Sequence, residues 1–239
     1  MNNRLSYFEN TYKFTDPATI ESMQRDEKGH FLTLDHTIFY PQGGGQPSDD
    51  GLLKSDHIEI PIHSVRMIDN EIRHYTNQAY HDVIGQKVHC HINPTKRLLH
   101  AKLHTSGHLI SNIIEELYPA YKAVKGHHFP GECYVEFLVT KGDIENLNLD
   151  QLNQKIALLV AENQTIKAMF IGSDKLSEIC PDISYKIPTN QSVRIVSIGN
   201  FQYQPCGGTH VNTTSELKKL EITKFKMKDK AFKIYYTMR

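Results

Sequence analysis

The chain has 239 residues, of which 23% are charged and 39% hydrophobic. That is the balance of a folded globular protein and not of a disordered one. No apolar run approaches the roughly 20 residues of a membrane span, and Met1 to Leu5 hold no apolar signal core, so a cytoplasmic protein is expected. The four cysteines (Cys90, Cys133, Cys180 and Cys206) lie far apart with no CxxC pair, which excludes a disulfide framework and a zinc ribbon. Fourteen histidines direct attention to metal ligands. The net charge of zero hides an asymmetry: residues 1–90 hold 8 basic and 13 acidic side chains, whereas residues 217–239 hold 8 basic and 2 acidic. The basic end suits a polyanionic partner, while the zero total argues against tight non-specific binding to nucleic acid.

In chain order, short strands come first. Phe31–Tyr40, Ile58–Met67, Ile72–Tyr75 and Lys87–Ile92 are rich in β-branched and aromatic residues and are separated by polar or Gly/Pro turns. They predict a small β-barrel or sandwich. The pattern changes at Asn93-Pro94, a cap followed by a first-turn proline. Leu98, Leu99, Leu103, Ile110, Ile113, Ile114 and Leu117 then recur at helical spacing until Pro119. A strand at Cys133–Val139 and a helix from Asp150 to about Asn163 follow. Further strands are predicted at Thr165–Ile171, Ser192–Ile198, Leu217–Met227 and Ala231–Met238. The last two form a basic hairpin around Lys228-Asp229-Lys230. The expected fold is α+β: an N-terminal small β-barrel domain over residues 1–92, then a core over residues 93–239 with a long helix packed on antiparallel sheet.

Two motifs carry metal chemistry. His104 and His108 sit four apart in the predicted helix, which places both imidazoles on one face. His100 extends the stripe and is a candidate false ligand. Cys206-Gly207-Gly208-Thr209-His210 places a thiolate and an imidazole on a tight turn, where the glycines would permit positive φ and close backbone approach. Together they give a His₃Cys set that mixes nitrogen and sulfur as zinc does, with one Zn²⁺ per chain. Four protein ligands close a tetrahedral site, so either one of them, with His210 expected, is loose or displaced, or the metal orients substrate instead of making hydroxide.

The glycine run Gly43-Gly44-Gly45 followed by Gln46-Pro47 fits neither a Walker loop nor a Rossmann fingerprint. It reads either as a hairpin turn or as backbone that approaches a ligand closely.

YPQGGGQPSDDG, the helical HTSGH and QPCGGTHV (Gln204 to Val211) together resemble the AlaX proteins. These are free-standing relatives of the editing domain shared by alanyl- and threonyl-tRNA synthetases, and the chain resembles their medium-sized type over nearly its whole length. The resemblance implies hydrolysis of the ester between a wrong amino acid, serine or glycine, and the terminal adenosine of alanine tRNA. It also implies zinc on His104, His108, Cys206 and His210. Gly43, Gly44, Gly45 and Gln46 would lie near the acceptor end, and Thr105, Gln204, Gly208 and Thr209 would line the substrate pocket. Thr105 or Gln46 is the expected partner of a serine hydroxyl. Lys96, Arg97, Lys102, Lys218, Lys219, Lys224, Lys226, Lys228 and Lys230 would meet tRNA phosphates. Members of this type lack the oligomerising C-terminal extension of longer ones, so a monomer with no obligate protein partner is expected.

Two positions depart from the motif. Gln42 stands where a glutamate is common, and Gly107 where a larger residue is usual. A mid-helix glycine costs about 1 kcal/mol relative to alanine, so Gly107 is expected to make room for substrate or a neighbouring strand. Three other readings stay open: editing of another tRNA such as Ser-tRNA(Thr), an RNA-binding module with structural zinc, and a zinc hydrolase of small esters.

Overall fold

The computed structural model describes residues 4–142, 147–181, 190–228 and 230–238. The turn residue Asp229 and the Lys228 side chain, both part of the expected basic hairpin, lie outside the described residues. The chain divides into two compact units, Met1–Ala101 and Lys102–Arg239. The division falls inside the long helix.

Among its described residues the first unit holds nine strands: β1 (Arg4–Leu5), β2 (Thr15–Asp26), β3 (Gly29–Leu34), β4 (His36–Thr37), β5 (Gly51–Lys54), β6 (Glu59–Ile62), β7 (Ser64–Ile68), β8 (Glu71–Thr76) and β9 (Lys87–Ile92). Seven of them form one antiparallel sheet in the order β6-β5-β9-β2-β3-β8-β7, and β1 pairs with β4 alone. The expected barrel does not close. Strands β6 and β7 stand at opposite ends of the sheet order yet are joined by one residue, His63. The sheet therefore turns a corner there, but no described ladder links its two edges. Strand alternation buries Ile20, Leu32, Leu34, Leu53, Ile60 and Val65 in a single core.

The structure adds β2, the longest strand of this sheet, which the sequence pattern does not mark. Its residues, TDPATIESMQRD, are mostly polar, and Pro17 cannot donate to a ladder. The register explains the tolerance. Residues 15–19 pair only with β9, while the pairing with β3 begins at Ile20, so Pro17 needs only one partnered edge. The expected strand Ile58–Met67 is broken by the corner at His63 into β6 and β7.

Helix α1 (Pro94–Leu117) starts as the cap predicts, with the Lys96 amide donating to Asn93 Oδ1 at 3.2 Å. Its first turns belong to the first unit through Arg97. That guanidinium is fully buried and ion-paired with buried Asp49. Its Nε donates to both Asp49 oxygens at 3.1 Å, Nη2 to the Ile38 carbonyl at 2.6 Å and Nη1 to the Thr11 carbonyl at 3.2 Å. The Tyr40 amide completes the Asp49 carboxylate at 2.7 Å. Arg97 is thus no phosphate contact: it is a structural cation, and loss of either partner would leave a buried charge unpaired at a cost of about 3–5 kcal/mol.

The second unit contains β10 (Tyr121–His127), β11 (Tyr134–Val139), α2 (Leu149–Ala161), β12 (Ile166–Gly172), α3 (Leu176–Ile179), β13 (Ser192–Ile198), β14 (Gln204–Pro205), β15 (Leu220–Lys228) and β16 (Ala231–Met238). One antiparallel sheet runs β10-β11-β16-β15, and a smaller one runs β12-β13-β14. Phe137, Phe232, Ile234 and Tyr236 are buried on the inner face of the larger sheet. The middle of α1 is buried on every side, from Leu103 to Gly107. It meets β16 through the Tyr236 hydroxyl, which donates to the Leu103 carbonyl at 2.9 Å. The edge strand β15 is covered where it bulges: Asn153 of α2 accepts from the Ile222 amide at 2.7 Å and donates to its carbonyl at 3.0 Å. Among the described residues no helix is long and apolar enough to cross a membrane.

His74, on β8, is fully buried between Thr37 Oγ1 at 2.8 Å and the Leu32 carbonyl at 3.1 Å. Burial pushes its imidazole from 6.5 down to about 4. As pH falls the unfolded chain takes up this proton first. Stability is therefore full above about pH 6.5 and declines towards pH 4 by about 3 kcal/mol from this group. Urea unfolding at several pH values should show that loss, and His74→Gln should flatten it; an equal slope in the variant would refute the assignment.

Candidate metal centre

Four side chains from two distant segments converge in the second unit. His104 and His108 lie one turn apart on α1, and Cys206 and His210 follow β14. Their ligand atoms all lie within 4.8 Å of one another. Cys206 Sγ is 3.5 Å from His104 Nε2 and 3.2 Å from His210 Nε2. Zn–S bonds near 2.3 Å and Zn–N bonds near 2.05 Å at a tetrahedral angle put such atoms about 3.5 Å apart. The spacing and the mixed donor set therefore fit one metal ion and are consistent with zinc.

Local structure fixes each donor. Helical periodicity aims His104 and His108 the same way. Cys206 is placed by the pairing of β14 with β13, and its own amide donates to the Arg194 carbonyl at 3.0 Å. The Arg194 guanidinium donates to the carbonyls of Cys206 and Gly208, both at 2.9 Å, and so holds the turn shut. His210 is held by Thr105, whose Oγ1 lies 3.0 Å from His210 Nδ1 and also accepts from the Val211 amide at 3.3 Å. That contact leaves His210 Nε2 for the metal. The Gln204 amide donates to Asn112 Oδ1 at 3.0 Å.

Burial holds the imidazoles of His104 and His210 well below their usual range and pushes His108 down to about 4. All three are neutral at pH 7 and present lone pairs, as metal binding requires. Burial pushes the Cys206 thiol up, while the Gly208 amide, 3.3 Å from Sγ, and the Arg194 charge favour the thiolate.

Two expectations about this turn change. His210 is not the loose member: it is buried and tied to Thr105, whereas His108 and Cys206 are the half-exposed ones. Neither Gly207 nor Gly208 has positive φ. Gly207 is instead exposed, and a Cβ there would meet nothing within 4 Å. The open side of the centre runs along His108, Gln204, Cys206 and Gly207.

A fourth histidine at the centre, His128, is absent from the motif reasoning because it belongs to neither motif. It is buried, and its ring stacks on that of His104 at 4.6 Å between centroids and 22° between planes. Its Nδ1 lies 2.5 Å from the Tyr236 hydroxyl. Two glycines make its slot. A Cβ at Gly107 would fall 2.3 Å from His128 Cε1, and one at Gly126 would fall 2.4 Å from its Nε2. The room expected at Gly107 is thus taken by a histidine beside a neighbouring strand. The departure at Gly107 was the one available signal.

The other expected residues fall as follows. His100 does not join the ligand cluster among the described residues. Thr105 is fully buried behind His210, so its task is to orient a ligand. Gly208 and Thr209 are buried. In the first unit, Gly43 and Gln46 exchange backbone hydrogen bonds at 3.2 and 2.8 Å, and Gly44 and Gly45 have φ of 53° and 76°. That is a two-residue hairpin of type I′, which demands positive φ at both central positions. Gln46 is fully buried. Lys96 pairs with Asp50. Lys102 is half-buried, and Lys218, Lys219, Lys224, Lys226 and Lys230 are exposed.

The larger sheet, the helix-borne histidine pair and the cysteine turn form one α+β unit around the candidate centre. Residues 193–233 match the family described as Threonyl and Alanyl tRNA synthetase second additional domain. Residues 4–96 match tRNA synthetases class II (A). An alanyl-tRNA editing protein AlaX-M of Methanosarcina barkeri is 31% identical over 97% of this chain and 97% of its own. The AlaX-L protein of Pyrococcus horikoshii is 26% identical over 94% of this chain and 55% of its own. An alanine–tRNA ligase of Caldivirga maquilingensis is 26% identical over 91% of this chain and 24% of its own. The chain belongs to the AlaX family and corresponds to its medium-sized members.

Two substitutions test the layer behind the ligands. Thr105→Val should weaken zinc affinity by about 10–100-fold with the fold retained; competition with a chromophoric chelator measures this, and an unchanged affinity would remove Thr105 from the centre. Gly107→Ala gains about 1 kcal/mol of helix propensity yet should be net destabilising, because overpacking costs about 1–3 kcal/mol. Adding His128→Ala should recover part of the loss. A Gly107→Ala protein as stable as wild type would show that the slot is not constrained.

Proposed function

We propose that the protein is a trans-editing deacylase that cleaves the aminoacyl ester of mischarged alanine tRNA, with serine as the main amino acid removed and glycine as a second. The observation that carries this reading is the His₃Cys cluster with one open side, in a chain that matches an AlaX-M protein from end to end.

Zinc on His104, His108, Cys206 and His210 would supply positive charge able to polarise an ester carbonyl or to acidify water. The chain's own contribution is to hold the donors neutral, buried and correctly turned, and to leave approach along His108, Gln204, Cys206 and Gly207. Among the described residues no carboxylate joins the cluster, so no acidic general base stands among the ligands.

The discrimination is a matter of one hydroxyl. An apolar synthetic pocket rejects an added hydroxyl poorly, whereas a site that hydrogen-bonds it rejects its absence strongly. With Thr105 behind His210, Gln204 is the polar side chain on the open rim that best suits this contact.

Ser-tRNA(Ala) and Ala-tRNA(Ala) incubated with the protein should diverge: serine is lost rapidly and alanine is spared. Cys206→Ala, shown folded by circular dichroism, should abolish the loss. Loss of serine from threonine tRNA instead would move the substrate, and survival of every charged tRNA would leave a zinc-stabilised binding module.

A further inference from the structure

The outer face of the four-stranded sheet has a composition the metal centre does not explain. Strand register puts His127, Tyr134, Tyr235 and Lys224 in one row across β10, β11, β16 and β15. Lys125, Glu136, Lys233 and Lys226 form the next row. Paired residues share a face, and the intervening Val135 and Ile234 are buried, so both rows point outward.

The rings adjoin. Phe129 stacks on His127 at 4.5 Å and 6°, His127 on Tyr134 at 5.2 Å and 25°, and Tyr134 meets Tyr235 at 5.7 Å. Lysines lean over them: Lys233 Nζ is 4.2 Å from the Tyr134 ring centre, and Lys224 and Lys226 are 5.0 and 5.9 Å from that of Tyr235. Three acids share the face, Glu221 opposite Thr237 being one. Glu136 approaches Lys233 at 3.5 Å and Glu132 approaches His127 at 3.5 Å. Lys125, Lys224 and Lys226 leave the balance positive.

We propose that this face is a stacking platform for the unpaired 3′ end of an RNA, and, resting on the editing reading, that this RNA is the charged tRNA. Flat rings interleaved with cations are the chemistry of single-strand binding: any base offers a π face, and the lysines meet its phosphates. A duplex hides its base faces and cannot use the rings. The platform also starts beside the metal centre. His127 and His128 are consecutive, and while His127 opens the aromatic row, His128 turns inward and stacks on the ligand His104.

The probe is a short labelled RNA ending in unpaired CCA, titrated against the whole protein by fluorescence anisotropy beside the same sequence in a blunt duplex. The single strand should bind and the duplex bind far more weakly. Tyr134→Ala with Tyr235→Ala should weaken binding by about tenfold or more, and the corresponding Phe pair, which keeps the rings, should rescue it. Lys224→Gln with Lys226→Gln, both at exposed positions, should lower the slope of log affinity against log salt by about 1.4. Equal binding of strand and duplex, no effect of ring removal, or equal binding of an acidic peptide would overturn the platform. Deacylation separates the two readings. A raised KM with kcat retained in the ring variants supports both. Unchanged KM overturns the platform and leaves editing intact, and strand binding without any deacylation does the reverse.

Discussion

The hydroxyl of Thr105 is the contact on which the centre depends. It sits next to His104 on α1, and it reaches across about a hundred residues of sequence to His210 and Val211. One buried oxygen thereby orients the His210 ring and ties the histidine helix to the cysteine turn. Without that tie the four donors would have to find a common point from two independently placed segments. Arg194 does the complementary task from β13, clamping the turn through two carbonyls. Thr105 is fully buried and Arg194 half-buried, and away from water an unmade hydrogen bond is expensive and a made one is rigid.

The packing around His104 follows from the same economy of space. A stacked imidazole fits behind a ligand only where the helix carries no side chain, and Gly107 and Gly126 supply the gap from two elements. The helix gives up some intrinsic stability at Gly107, and the tertiary slot offsets it. At its other end α1 is anchored by the buried Arg97–Asp49 pair, so this helix begins on a structural cation and carries the His104–His108 pair about its middle.

The long helix and the convergence of His104, His108, Cys206 and His210 were legible because their signals are local. Asn93-Pro94 marks the start of α1, and spacing of four places two imidazoles on one face. The strand β2 was not legible: its polar sequence and Pro17 are acceptable only because β3 pairs elsewhere along it. The corner at His63 and the unclosed sheet depend on long-range pairing that no window of sequence contains. Arg97, which looks like a surface cation, is buried by partners at Thr11, Ile38 and Asp49. Thr105 and His128 likewise acquire their roles only through residues far along the chain. The glycine run was half legible: its hairpin was one of two readings, and the register of Gly43 with Gln46 selects it.

The central claim is that His104, His108, Cys206 and His210 hold one zinc ion together. X-ray absorption at the zinc edge of the purified protein tests it most directly. The account expects one sulfur near 2.3 Å and three nitrogens near 2.0–2.1 Å per zinc, with the sulfur lost in Cys206→Ala. A zinc shell without sulfur, or one unchanged by that substitution, would contradict it.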